Sequence, residues 1–366
     1  MGRTARRGYD LSQVEIVPSR RTRSSKEVST TWQLDAYRFE IPLVTHPTDA
    51  VVSPANAVAI GKLGGLGVLN AEGLWARHAD AEAALEQVVQ AAASDDPDAA
   101  VRTLQELHAA PIRDDLLTEA LRTIREAGVT VAARVSPQRA RELTPLLLAA
   151  GVELLVVQGT IISAEHVSRG APLNLKDFIA SLEIPVVAGG VGDYRTAMHL
   201  MRTGAAGVIV GYGESSATTT DAVLGIGVPM ATAIVDAAAA RRDYLDETGG
   251  RYVHVIADGD IHTSGDIAKA LGCGADAVML GEPLSRCEDA PAGGAWWVSA
   301  ASHPKLPRGS FGPAEEPLGN LEQLLYGPSD DPDGALNLFG GLRRAMAKTG
   351  YRDLKEFQKV GLVLDR

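Results

Sequence analysis

RYVHVIADGDIHTSGDIAKALGCGADAVMLGE, residues 251–282, reads as a strand, a polar turn, a helix and a second strand. Val253–Ala257 is a short apolar run that enters Asp258-Gly259-Asp260; a helix follows from about Ser264, and Ala277–Leu280 forms a second run that stops at Gly281. The polar groups of this unit sit on its turns. In a closed parallel barrel such turns lie on the carboxyl-end face where chemistry collects, and the loops after the last two strands commonly hold a phosphate. Glycines let backbone N–H groups approach an anion, and a helix N-terminus adds a favourable dipole.

Working outward, the same kind of unit recurs without sequence identity. Ile41–Thr45, Gly64–Asn70, Val129–Val135, Val152–Val157, Ile184–Ala188, Ala206–Val210, Tyr252–Ala257 and Ala275–Leu280 are continuous rather than alternating apolar runs, as strands buried on both faces require. Helical spacing fills the intervals at Gln138–Ala149, Tyr194–Arg202, Thr232–Tyr244 and Ser264–Leu271, and residues 78–127 read as a helical layer with one loop at 94–98. About eight strand-helix units predict a single (β/α)8 barrel over residues 41–286. A doubly wound open sheet is the competing architecture, disfavoured because no strand-G-x-G-x-x-G-helix fingerprint opens the chain.

Residues 1–40 read as an N-terminal arm whose basic cluster, Arg20, Arg21, Arg23 and Lys26, is either a solvated loop or a contact with a neighbouring subunit. Residues 287–335, rich in Pro, Gly, Ser and acidic groups around Trp296-Trp297, read as a long flap over the barrel mouth. Residues 336–366 supply C-terminal docking helices.

With 366 residues, 45% of them hydrophobic, the chain can bury a sizeable core. The formal net charge of −11 argues against a nucleic-acid or anionic-membrane binder, while local backbone donors still permit a small anionic ligand. Cys273 and Cys287 are too few for a disulfide framework, and no metal-ligand pattern is present, so a reducing cytoplasm is the expected setting. The opening MGRTARRGYDLSQ is polar, and no apolar run is long enough to span a bilayer.

IADGDIHTSGDIAKALGCGADAVMLG resembles the ADGG-I-x-x-S-GD segment of the IMP dehydrogenase and GMP reductase barrel family. VGYGESSATTTDAVLGIGVPMATAI resembles that family's catalytic-cysteine loop and the passage after it, while YDLSQVEIVPS, IPLVTHPTDAV, GGLGVLN and GGLRRAMAKTG match its opening, first two strands and close. The likeness runs over nearly the whole chain in order. It is nearest to the shorter actinobacterial relatives without CBS domains, and segment 71–128 is too short and too helical to hold that pair. The family is typically tetrameric, so a homo-oligomer is expected.

The resemblance implies NAD-dependent oxidation of IMP or a related purine nucleoside monophosphate in GMP biosynthesis, through a cysteine that attacks the purine and forms a thioimidate. A thiolate suits that step because it is nucleophilic near neutral pH and leaves well. In this chain Thr218 occupies the cysteine position, with Thr219 beside it, and a threonine needs an adjacent base that GESSATTTD does not supply. These threonines either carry a weakened reaction or only shape a polar loop. The cofactor-ribose aspartate corresponds to Gln158, followed by Gly159, and Gly189-Gly190 would allow close cofactor approach. Asp258 is implied to hold the nucleotide's ribose hydroxyls, with Asp49, Gly213, Ser216, Gly259 and Gly281 around the ligand. Asp260 stands where the family has a glycine and Glu282 where it has a serine, which places carboxylates near the phosphate. The tyrosine preceding the family's flap Arg-Gly aligns with Pro307 before Arg308-Gly309. His254 reads as an interior residue, His262 as an exposed one and Cys273 as packing. The expectations are therefore an IMP dehydrogenase-like oxidoreductase, a nucleotide-binding or regulatory barrel that has lost turnover, or a barrel for another phosphorylated ligand such as a flavin or sugar phosphate.

Overall fold

The computed structural model describes residues 5–167, 172–214, 216–312 and 314–365, with the Glu214 side chain also outside the description. Eight parallel strands form one sheet: β1 (Leu43–Thr45), β2 (Val68–Asn70), β3 (Ala132–Val135), β4 (Leu154–Gln158), β5 (Val186–Val191), β6 (Gly207–Glu214), β7 (His254–Gly259) and β8 (Ala277–Leu280). The order runs from β1 through β8 down to β2, and a parallel bridge between Val44 and Leu66 closes the circle. Thr45 N donates to Leu66 O at 3.0 Å and Leu66 N to Leu43 O at 2.8 Å, so the seam is hydrogen-bonded like the other edges. A closed sheet leaves no edge strand exposed, and every residue of β1 to β5 is buried.

Polar caps fix where the outer helices start. Ser53, Asn174, Asp193 and Thr263 each accept the backbone N–H three residues on, and Pro54 opens the helix Pro54–Lys62 where its missing donor costs nothing. The expected 78–127 layer is three helices, Ala81–Ala92, Ala99–His108 and Asp114–Glu126, because a second break falls at 109–113 around Pro111. The helix expected at Thr232–Tyr244 extends to Met230–Thr248 and ends on left-handed Gly249.

Residues ahead of the barrel contribute an antiparallel pair, Trp32–Leu34 with Tyr37–Phe39. Trp32 is buried there, and its indole N–H donates to His254 Nδ1 at 3.2 Å. His254 is interior, as its place in an apolar strand predicts, and burial holds its imidazole down at about 4. After β8 the chain crosses the mouth, then forms helices Leu321–Tyr326, Leu338–Lys348 and Leu354–Phe357. A last strand, Leu362–Leu364, pairs antiparallel with Val14–Ile16, an element absent from the sequence reading. No described helix is long and apolar enough to cross a membrane.

At the amino-terminal side of β8, Asp276 is buried and gathers five donors among the described residues, one of them the Gln358 amide at 3.1 Å. Arg241 lies at 2.5 Å, Lys355 Nζ at 2.6 Å, the Tyr252 hydroxyl at 2.7 Å and Val255 N at 2.9 Å. Burial alone would raise its carboxyl, but Arg241 and Lys355 outweigh it and hold the group far below the usual range. The contribution is therefore present above about pH 4 and lost as pH falls through the depressed value. Asp276→Asn leaves Arg241 buried without its counter-charge and is expected to cost about 3–5 kcal/mol of unfolding free energy in urea titration at pH 7. A loss below about 1 kcal/mol would mean the cluster is too solvated to act as a buried pair.

Candidate active site

The carboxyl ends of the strands meet in two adjoining cavities of about 30 and 20 Å3, each with room for about one water. The first is lined by His46, Arg134, Gln158, Gly159, Thr160, Gly190, Gly211, Tyr212, Gly213, Thr218, Thr220 and Asp258, and is roofed by Val298, Ser299, Ala300 and Arg308. The second shares His46, Gly213 and Asp258 and adds Gly259–Glu282 turn residues, including Asp260, His262, Gly281 and Glu282, under Trp296. A larger groove of about 510 Å3 lies elsewhere, with Glu165, His166, Lys176 and His199 on its walls, but none of these directly follows a barrel strand.

Asp258, near the end of β7, is the centre of the mouth. Its Oδ1 accepts from His46 Nδ1 at 3.1 Å and its Oδ2 from Gln158 Nε2 at 3.0 Å. His46 follows β1 directly and Gln158 ends β4, so one carboxylate ties three strands together. Arg134, a guanidinium inside the apolar strand β3, donates to Gln158 O at 2.7 Å and lies 3.6 Å from Glu72. Burial lowers its pKa, while Glu72 and Asp49 partly restore it.

The glycines have packing duties here. A side chain at Gly189 would strike Ile209, and one at Gly190 would strike the backbone of Gly211 and Thr160. Gly213, at φ +74°, puts its backbone beside the His46 ring and Asp258. Trp296 packs so closely on Gly281 that any larger residue there would collide with the indole, and the same indole stands edge-on to His46 at 5.7 Å. Thr48 Oγ1 donates to Trp297 O at 2.8 Å, and Ser310 N to Ala217 O at 2.7 Å, fastening the covering segment to loops after β1 and β6.

Thr218 stands at the mouth, where its hydroxyl donates to Gly213 O. Thr219 precedes the short helix Thr220–Leu224 and is not among the lining residues of either cavity. Ser216 gives both its N–H, at 3.2 Å, and its hydroxyl, at 2.8 Å, to Glu282. His262 Nδ1 is 3.9 Å from the same carboxylate. Asp260 adopts left-handed φ +50°, and its carboxyl is raised by burial, with Asp10, Asp266 and Glu282 adding to the effect.

The N-terminus of helix Ser264–Gly272 spends its donors internally: His262 N and Thr263 N go to Asp266 Oδ2 at 3.1 and 3.0 Å, and Ser264 N to Gly334 O at 2.9 Å. Both cysteines are buried, lie outside the lining of the two cavities and are pushed up to about 11 by burial, so neither is a ready thiolate.

Asp49 is not brought into either cavity. It lies buried under Gly73, with its carboxylate 3.8 Å from His108 Nε2. His46 and Arg134 were not singled out from the sequence; the arginine inside VTVAARV is a visible signal, whereas His46 acquires its role from Asp258, distant in the chain.

Burial pushes Asp49 up to about 7, against the Leu74 N–H and the positive charges of Arg77 and Arg134. A raised folded value means that stability is lost as pH rises from about 4 to about 7, because the folded state must give up a proton that the unfolded state has already released. His108, held down at about 4 by burial, acts in the opposite sense below pH 6.5. Asp49→Asn should therefore gain melting temperature relative to the parent between pH 5 and pH 8. A difference that stays flat across that range would show Asp49 ionising normally.

The family profile described as "IMP dehydrogenase / GMP reductase domain" matches residues 8–312. Uncharacterized oxidoreductases of Mycolicibacterium smegmatis and Mycobacterium tuberculosis are each 68% identical over 370 residues, spanning 100% of this chain and 98% of theirs. The inosine-5'-monophosphate dehydrogenase of Aquifex aeolicus is 34% identical over 229 residues, 58% of this chain and 44% of its own. A solved structure of an IMP dehydrogenase/GMP reductase-like protein from Corynebacterium glutamicum superimposes with a TM-score of 0.95 at 57% identity, covering 100% of this chain and 96% of that one. Profile, relatives and barrel agree: the chain belongs to the IMP dehydrogenase/GMP reductase family.

Proposed function

We propose that this chain is an IMP dehydrogenase-like oxidoreductase that takes a purine nucleoside monophosphate, IMP or a near relative, at the barrel mouth and uses NAD. The observation that carries the reading is the convergence of Asp258, His46 and Gln158 at three strand ends inside one cavity. Family membership supports the substrate class, and extends the reading to a cytoplasmic homotetramer serving GMP biosynthesis.

Gln158 Oε1 is buried and has no partner among the described residues, and Gln158 lines the cavity with Gly159 and Gly190. These residues fit a cofactor that brings hydroxyl or amide donors: Gln158 would accept from it, and the two glycines would let it approach the backbone. Bound there, NAD would supply a hydride acceptor. The two cavities, at about 30 and 20 Å3, are too small for such a ligand, and a groove of about 320 Å3 adjoins them at Tyr212, Thr218, Thr220 and Asp260. A ligand that reaches Gln158 from there has to displace the cover at Val298–Ala300 and Arg308.

Chemistry at this mouth runs without a cysteine. Neither thiol lines it, and the Thr218 hydroxyl spends its proton on a backbone carbonyl instead of a base. That geometry also favours a second reading, a barrel that binds purine nucleotides without turning them over.

The phosphate end is contested. Glu282 holds the Ser216 N–H and hydroxyl, and a phosphate seated near it would meet a charge worth about 4 kcal/mol at 4 Å near a protein surface. A helix dipole returns only about 0.3–1 kcal/mol, so repulsion wins unless Glu282 swings away. Glu282→Ser is expected to tighten IMP binding by about tenfold or more in titration calorimetry while leaving inosine unchanged. Equal gains for both ligands would show that Glu282 does not compete with a phosphate. Turnover is read as NADH absorbance with IMP: the oxidoreductase reading expects a rate that Thr218→Ala changes by less than about threefold, and IMP bound without any NADH would give the second reading its support.

A further inference from the structure

His46 has one ring nitrogen fixed and the other unspent. Its side chain is 7% exposed, Nδ1 is bonded to Asp258 at 3.1 Å, and Nε2 is a buried atom without a hydrogen-bond partner among the described residues. The ring lines both mouth cavities. An ionised carboxylate can only accept, so the Asp258 bond requires the proton on Nδ1 and leaves the lone pair on Nε2. Asp258 is itself held from its other side by the Gln158 amide at 3.0 Å, and Trp296 stands edge-on to the imidazole at 5.7 Å. Base, orienting carboxylate and a third group that fixes the carboxylate are the parts of an acid-base centre. A histidine kept only for packing would not be expected to face a polar cavity with an unsatisfied acceptor, since buried polar atoms are normally paired.

We propose that His46 is the proton-accepting catalytic residue of this mouth and that Asp258 is its positioning residue. The proton comes from an O–H donor, a water or a ligand hydroxyl. The O–H bond breaks, its electron pair stays on the oxygen, and an N–H bond forms at Nε2. Asp258 offsets the imidazolium charge, and the oxygen is left nucleophilic without help from a thiol. The other charged groups that share these cavities are Arg134 and Arg308 in the first, which disfavour the imidazolium, and Asp260, Glu282 and His262 in the second. The identity of the substrate rests on the oxidoreductase reading above; the protonation state of His46 does not.

The test has two arms on the full chain. In ligand-free protein labelled with 15N-histidine at pH 7, the resonance removed by His46→Gln is expected to be a neutral ring protonated at Nδ1. Asp258→Asn should move the Nδ1–H proton resonance of that ring upfield, as loss of a charge-assisted hydrogen bond requires. A ring protonated at Nε2, or charged across pH 6–8, overturns the proposal whatever the turnover. In the second arm, with IMP and NAD, His46→Gln should lower kcat by about 100-fold, leave KM within about threefold and abolish the acidic limb of the pH profile. A variant within about threefold of the parent in kcat, with an unchanged profile, also overturns it. If the parent turns over neither IMP nor GMP while the ring is protonated at Nδ1, the purine reading falls and the acid-base pair stands, for a different O–H substrate.

Discussion

Asp258 must satisfy two neighbours at once, and the mouth takes its shape from that demand. A buried carboxylate is tolerated only when its oxygens are hydrogen-bonded, and the partners here come from strand ends on either side of the barrel, His46 after β1 and Gln158 on β4. Moving any one of the three would leave a buried polar group unpaired, at about 1–3 kcal/mol each. The glycines of β5 and β6 make the arrangement possible, because they let backbones close up where a side chain at 189 or 190 would collide. Chemistry and packing therefore share the same few residues, and the barrel cannot drift at this end without dismantling its own site.

The barrel was legible because a strand covered on both faces has no room for alternation: LLVVQ on β4 and AVML on β8 are buried at every position. Its closure was not, since the Val44–Leu66 bridge depends on curvature accumulated over all eight strands. The break at 109–113 is written in Pro111, but the strong helical periods on both sides of it mask the signal. Within the site, Asp258 and Gly213 could be read from the turns that carry them. His46 could not, for nothing next to Thr45 announces a bond to a carboxylate far along the chain. Asp49 illustrates the converse: it sits in a plausible loop, yet its carboxylate is buried beneath Gly73 and beside His108 instead of lining the mouth.

The two cavities differ in charge. Arg134 and Arg308 border one, whereas Asp260 and Glu282 border the other. In the second, the N–H groups at the start of the following helix are spent on Asp266 and Gly334, so little backbone donor capacity is left to offset the carboxylates. The packing residues around the second cavity are buried and apolar, as at Met279, while its polar wall carries two carboxylates, Asp260 and Glu282. Fold and site thus obey different constraints, the first set by volume and the second by electrostatics.

The indole of Trp296 resting on Gly281 has a kinetic and thermodynamic corollary. A guest that has to enter the second cavity past this ring finds it receptive only in the fraction of time that the ring is elsewhere. Its measured dissociation constant is then the intrinsic one divided by that fraction, so a site with excellent complementarity can register as a weak binder. Capture would also follow the frequency of ring departure instead of the concentration of guest once the latter is high, giving an observed rate that saturates.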